Sequence, residues 1–172
     1  MTKEYVMIRS VSFVLVTSFL FAANSFAAEV KVNWKNPDQY RDVEAANETQ
    51  KSFQDRVFKR LDKHFATLAK SLPEGDSLWI TVTDLDLAGR VLPDTSLGLH
   101  CGNEMRIVKK IDYPAIQFSY TLTDVKGNVR KKDSVSIKDL GFQERIGFRA
   151  KRGDLRYELI MLEDWFKDTF ES

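Results

Sequence analysis

Cysteine is almost missing from this sequence: Cys101 stands alone among 172 residues. One thiol cannot close an internal disulfide, so a stapled scaffold is excluded and stability has to come from an apolar core. Histidine is nearly as scarce, with only His64 and His100. His100-Cys101 therefore has no Cys/His cluster around it from which to build a zinc site. A surplus of one charge is missing too. Lys3, Glu4 and Arg9 fall in an N-terminal leader, and of the 26 basic and 25 acidic residues 24 of each lie beyond it. A neutral chain lacks the electrostatic footprint of a nucleic-acid binder. Gly-x-Ser-x-Gly, His-Glu-x-x-His and a phosphate-cradling Gly-rich loop do not occur. Ser96 and His100 form the only Ser/His proximity in the loops, short of an activated nucleophile. These absences favour a non-enzymatic protein without a cofactor.

What is present begins with that leader. Lys3 and Arg9 precede an uncharged run from Val11 to Ala23, and Ser25 and Ala27 supply small residues at −3 and −1 of a cut after Ala27. This is the three-zone pattern of a secretory signal peptide. The run is short of the ~20 apolar residues a spanning helix needs, and no Cys follows it to carry a lipid. Residues 1–27 are read as a signal peptide and 28–172 as a single domain, placed in the periplasm. The mature chain holds no other apolar run long enough to span a membrane.

The mature chain opens with Val30, Val32 and Trp34 alternating with polar residues, a half-buried strand. A long amphipathic helix follows, from near Asn47 or Thr49 to Leu72, with Phe53, Val57, Leu61 and Phe65 or Leu68 at helical spacing. His64 falls on its solvated flank. Leu78, Ile80 and Val82 then mark one face of a strand, with Trp79 on the other. At Asp84-Leu85-Asp86-Leu87 the apolar positions change face. A side-chain period of two forbids this without a bulge, a bend or an exit from the sheet. A loop is expected from Ala88 to about Asn103, then a short strand at Met105–Val108. The clearest alternation is Ile116, Phe118, Tyr120 and Leu122. After turn residues Asp124–Asn128 comes a return strand carrying Arg130, Lys131, Lys132 and Asp133, a composition suited to a defended edge. A last helix spans about Asp154 to Phe170, with Asp154 as its cap and Leu155, Leu159, Leu162, Phe166 and Phe170 as its buried face, widened by Tyr157, Ile160 and Trp165. The expectation is an α+β domain of order β-α-β-β-β-β-α: a mainly antiparallel sheet of four to five strands with two helices on one face.

Several motifs recur in this order: Val32-Asn33-Trp34 with Asn36-Pro37 and Tyr40-Arg41-Asp42, then Thr81 to Gly89, Met105–Val108, Pro114–Asp124, Leu155–Glu158 and Leu162–Phe166. With them the mature chain resembles, over nearly its whole length, a family of uncharacterised exported bacterial proteins, the domain-of-unknown-function family 3016. The resemblance implies export and a shared fold. It transfers no site residues, because none are assigned in the family.

Two places could carry function. Asp84 and Asp86, two apart on a strand, project to one side and could share a cation, with Asp94, Glu104 or Asp112 completing an oxygen-rich site; strand-end aspartates equally cap loop backbone. Trp79, opposite the apolar face and near Leu85 and Leu87, could mark a partner surface, unless a loop covers it. The leading expectation is a non-enzymatic domain that binds an envelope protein or component through a sheet face or edge. The alternative is a metal- or small-ligand-dependent activity centred on Asp84, Asp86 and the 88–103 loop.

Overall fold

The computed structural model describes residues 28–99, 102–145 and 153–171. The segment 1–27 read as a signal peptide, and His100 and Cys101, lie outside these residues.

Strand β1 (Glu29–Trp34) leads through a 3-10 turn at Pro37–Gln39 to helix α1 (Gln50–Leu68). Thr49 caps α1, its side chain accepting the Ser52 N–H. Phe53, Val57, Leu61 and Phe65 are its buried residues, one every four positions. At 1.5 Å per residue this helix runs about 28 Å and carries the chain back to the end where β1 began. Strand β2 (Ser77–Asp86) consequently lies parallel to β1, with Val30 opposite Leu78 and Val32 opposite Ile80. The main sheet is therefore mixed, with this one parallel pair beside the antiparallel pairings that were expected: parallel neighbours need a long crossover, and α1 is that crossover.

Strands β3 (Arg90–Pro93) and β4 (Glu104–Ile107) form a separate antiparallel ribbon. The segment expected as a loop from Ala88 to Asn103 thus contains a strand and a 3-10 turn, Asp94–Leu97. β5 (Ala115–Thr123) and β6 (Val129–Lys138) complete the main sheet, whose order is β1-β2-β5-β6. The described residues therefore hold six strands in two sheets, where four to five in one sheet were expected. β6 is the outer strand, as its basic composition suggested. A short helix α2 (Phe142–Arg145) and the long α3 (Arg156–Phe170) close the chain.

Both long helices cover one sheet face. The Phe118 ring of β5 meets Phe65 of α1 at 6.2 Å and Trp165 of α3 at 4.8 Å, each edge-on. Leu61, Leu78, Val82 and Leu162 are fully buried between the layers, each such side chain contributing about 1.5–3 kcal/mol. His64, expected in solvent, is half-buried, and its Nε2 lies 2.8 Å from the Leu159 carbonyl, tying α1 to α3. A smaller cluster of Ala88, Phe142 and Tyr157 packs with Val108 and Tyr113 beside the ribbon. Among the described residues no helix is long and apolar enough to cross a membrane.

Candidate functional site

The change of face in β2 is a bulge. Val82 pairs with Phe118, and the next paired residues are Asp84 and Gln117, so Thr83 is the extra residue. The insertion lets Leu78, Ile80 and Val82 face the core and then Leu85 and Leu87 do the same, while Asp84 and Asp86 turn outward.

Both carboxylates meet Arg41. Its Nε donates to Asp84 at 2.8 Å, its Nη2 also reaches Asp84, and its Nη1 lies 3.5 Å from Asp86. Asp84 additionally accepts the Arg41 backbone N–H at 3.3 Å. Burial pushes the Asp86 carboxyl up, opposed by Arg41. A fork-shaped guanidinium held in this way ties the segment after β1 to the end of β2. The same segment is held by Tyr40, whose buried hydroxyl donates to the Val82 carbonyl and is pushed up to about 12, mainly by burial.

Of the other expected carboxylates, Asp112 lines one cleft with Asp86, Asp42, Glu44 and Arg41, whereas Asp94 and Glu104 lie elsewhere. Asp94 accepts the Asn103 N–H at 3.2 Å across the base of the 3-10 turn. Asp112 lies 2.9 Å from Arg90 Nε. Glu104 is exposed, and its backbone is bracketed by the Asn47 amide, which accepts its N–H and donates to its carbonyl. Among the described residues no group of three or more His, Cys, Asp and Glu side chains is placed to hold a metal ion.

Trp79 lies on the outer sheet face, 52 % exposed, with Lys31 Nζ 4.6 Å over its ring. Leu85 and Leu87, expected beside it, are 1 % and 2 % exposed and face the core, because the bulge separates their phase from that of Trp79. The tryptophan therefore stands among polar neighbours such as Asn33, Thr81 and Ser119.

A different place gathers polar groups around open space. Where the N-terminal parts of α1 and α3 approach the ribbon there is a cleft of about 500 Å³. Phe53 and Val57 of α1, Leu87 and Val108 supply apolar wall, and Arg56, Arg106, Arg156, Tyr157 and Glu158 supply polar wall. Glu158 is 2 % exposed and accepts the Ala88 N–H at 2.7 Å. Burial pushes its carboxyl up, while Arg106 and Arg156 act in the opposite direction.

The Ala88-Gly89 corner that presents this N–H needs glycine. Gly89 has φ +86°, and a Cβ there would stand 2.7 Å from the Ile107 carbonyl oxygen. Arg106 reinforces the corner, donating to the Gly89 carbonyl at 2.9 Å, to the Glu44 carbonyl at 3.0 Å and to both oxygens of Asp42. Arg56 bridges Glu48 and Asp154, at 2.6 Å each. Phe53 lies beneath both guanidinium groups, 5.2 Å from that of Arg56 and 5.9 Å from that of Arg106.

Asp154 is thus drawn to Arg56, and the expected cap does not form. The helix starts at Arg156 after Leu155, which has φ 61° and offers no side-chain hydrogen bond. The buried face of α3 runs through Tyr157, Glu158, Met161, Leu162, Trp165 and Phe166. The expected Tyr157, Leu162, Trp165 and Phe166 are buried, Leu155, Leu159, Ile160 and Phe170 are only partly so, and Glu158 and Met161 were not expected there. A charged residue seven positions before Trp165 and four before Leu162, on the apolar stripe, was the sequence signal that could have pointed to Glu158.

No curated protein and no solved structure matches this chain. Residues 28–168 match the family described as Protein of unknown function (DUF3016). Because this match spans well over half of the chain, the chain belongs to that family.

Proposed function

We propose that the chain is exported, loses residues 1–27, and works in the bacterial envelope as a non-enzymatic binding domain whose ligand occupies the cleft between α1, α3 and the ribbon. One observation carries the binding reading: a cleft of about 500 Å³ with a buried carboxylate, Glu158, in its wall. Small-molecule sites are commonly clefts of ~300–1,000 Å³ with apolar walls and few convergent polar groups. The charged groups at the rim support binding over group transfer. Arg56 and Arg106 are held by carboxylates, which makes them stiff walls. The leader pattern and the family resemblance support export.

Isothermal titration and thermal shift against a broad small-molecule library test the cleft. Ala46, which also lines it, gives a blocking variant: Ala46→Trp is expected to abolish the thermal shift of any ligand found, while leaving the melting temperature of the free protein nearly unchanged. A ligand that binds Ala46→Trp equally well would move the site elsewhere. N-terminal sequencing of the protein recovered by osmotic shock is expected to begin at Ala28; recovery from the cytoplasmic fraction with an intact leader would refute export.

A further inference from the structure

We propose that the cleft receives a small apolar zwitterion, an α-amino acid or dipeptide with an aliphatic or aromatic side chain, its ammonium meeting Glu158 and its carboxylate meeting Arg156. This rests on the binding reading above and adds the chemistry of the ligand.

The charges on the wall divide into two kinds. Arg56 closes on Glu48 and Asp154, and Arg106 on Asp42. Glu158 and Arg156 differ: among the described residues neither is joined to an opposite charge. Glu158 accepts the Ala88 N–H. The Arg156 guanidinium donates to the Tyr157 hydroxyl at 2.7 Å and lies 4.6 Å over the Tyr157 ring. The two sit two positions apart in the first turn of α3, line the same cavity, and feel each other's charge without an ion pair. A carboxylate and a guanidinium that share a cavity but do not meet form the counter-image of a molecule with both charges.

The helix end adds to the anionic half. Leu155 provides no side-chain cap and Asp154 is turned to Arg56, so the positive end of the α3 dipole favours a ligand carboxylate beside Arg156. Phe53, Leu87 and Val108 offer apolar wall for a side chain. A buried carboxylate also discriminates, because a ligand that displaces water from beside it without offering a donor gives back no hydrogen bond in exchange.

The test is isothermal titration of the chain from Ala28 with L-leucine, L-phenylalanine and leucyl-leucine, against N-acetyl-L-leucine, which lacks the ammonium, and L-leucinamide, which lacks the carboxylate. At least one zwitterion is expected to bind, and each blocked form to bind roughly tenfold or more weakly, the scale of one lost charged hydrogen bond. Glu158→Gln keeps an acceptor for Ala88 and should erase the preference for leucine over its acetylated form. Arg156→Gln should erase the preference over the amide. If either variant fails to fold, the blocked ligands on the unsubstituted protein decide. Equal binding of the blocked forms would overturn the proposal. So would silence of all zwitterions while another ligand class gives a shift that Ala46→Trp removes; the cleft reading would then survive alone. Silence of every ligand overturns both.

Discussion

Two acidic places in this protein look alike as residue types and differ in what surrounds them. Asp84 and Asp86 face outward after the β2 bulge and are gripped by Arg41. Glu158 faces inward and is held by backbone N–H groups, those of Ala88 and of Glu158 itself, and by the more distant charges of Arg106 and Arg156. The outward pair is a tie between chain segments, and its ionic partner is 49 % exposed. The inward carboxylate is desolvated and borders open space. Conspicuous charges on a strand thus form an internal clasp, whereas one charge hidden in a helix stripe marks the cleft. Satisfied ions stabilise modestly; a buried ion without a full partner carries a cost that a ligand can relieve.

The largest expected effect tests the corner joining the two places. Gly89→Ala forces a Cβ against the Ile107 carbonyl at a positive φ and should cost about 2–4 kcal/mol in urea unfolding; a loss below 0.5 kcal/mol would show that the corner relaxes freely.

Glu158→Ala comes next. It strands the buried Ala88 N–H and should cost about 1–3 kcal/mol, whereas Glu158→Gln keeps an acceptor. The pH dependence separates them. Burial raises the folded pKa of Glu158 above its unfolded value, so its contribution is fully present below the ordinary Glu pKa, about 4.3, and is lost as pH rises through the folded pKa. The melting temperature of Glu158→Gln should therefore gain on that of the unsubstituted protein as pH rises from ~4 toward neutrality. A constant difference would mean that the carboxyl titrates as it does in the unfolded chain.

Arg41→Ala should cost less, about 1 kcal/mol, because the clasp is partly solvated, and the loss should shrink in high salt. If instead it exceeded the loss in Glu158→Ala, the contrast between the two places would be inverted. Trp79→Ala should be the mildest, within about 0.5 kcal/mol, with ligand response unchanged; a lost response would return attention to the outer sheet face.

Parts of this arrangement were legible in advance. The reversal at Asp84 called for a bulge, because alternating side chains cannot otherwise change phase, and Thr83 provides it. The basic strand after Asn128 was recognisable as an edge. The clasp itself was not legible, since Arg41 and Asp84 are brought together by a register 43 positions apart in sequence. Nor was the start of α3: Asp154 is a good cap by type, and only the position of Arg56 on another helix explains why it does not cap.

Periodicity by itself determined the α+β class, the two long helices, the clear strands and the need for a bulge, because burial of one face imposes a period of two on strands and about 3.6 on helices. Tertiary structure alone decided that β1 and β2 run parallel, that β3 and β4 separate into a ribbon, and that Phe53, Arg106 and Glu158 border one cleft. Those outcomes depend on where distant segments pack and which charges they desolvate, and a carboxylate shows the same letter in the sequence whether it is clasped, solvated or buried.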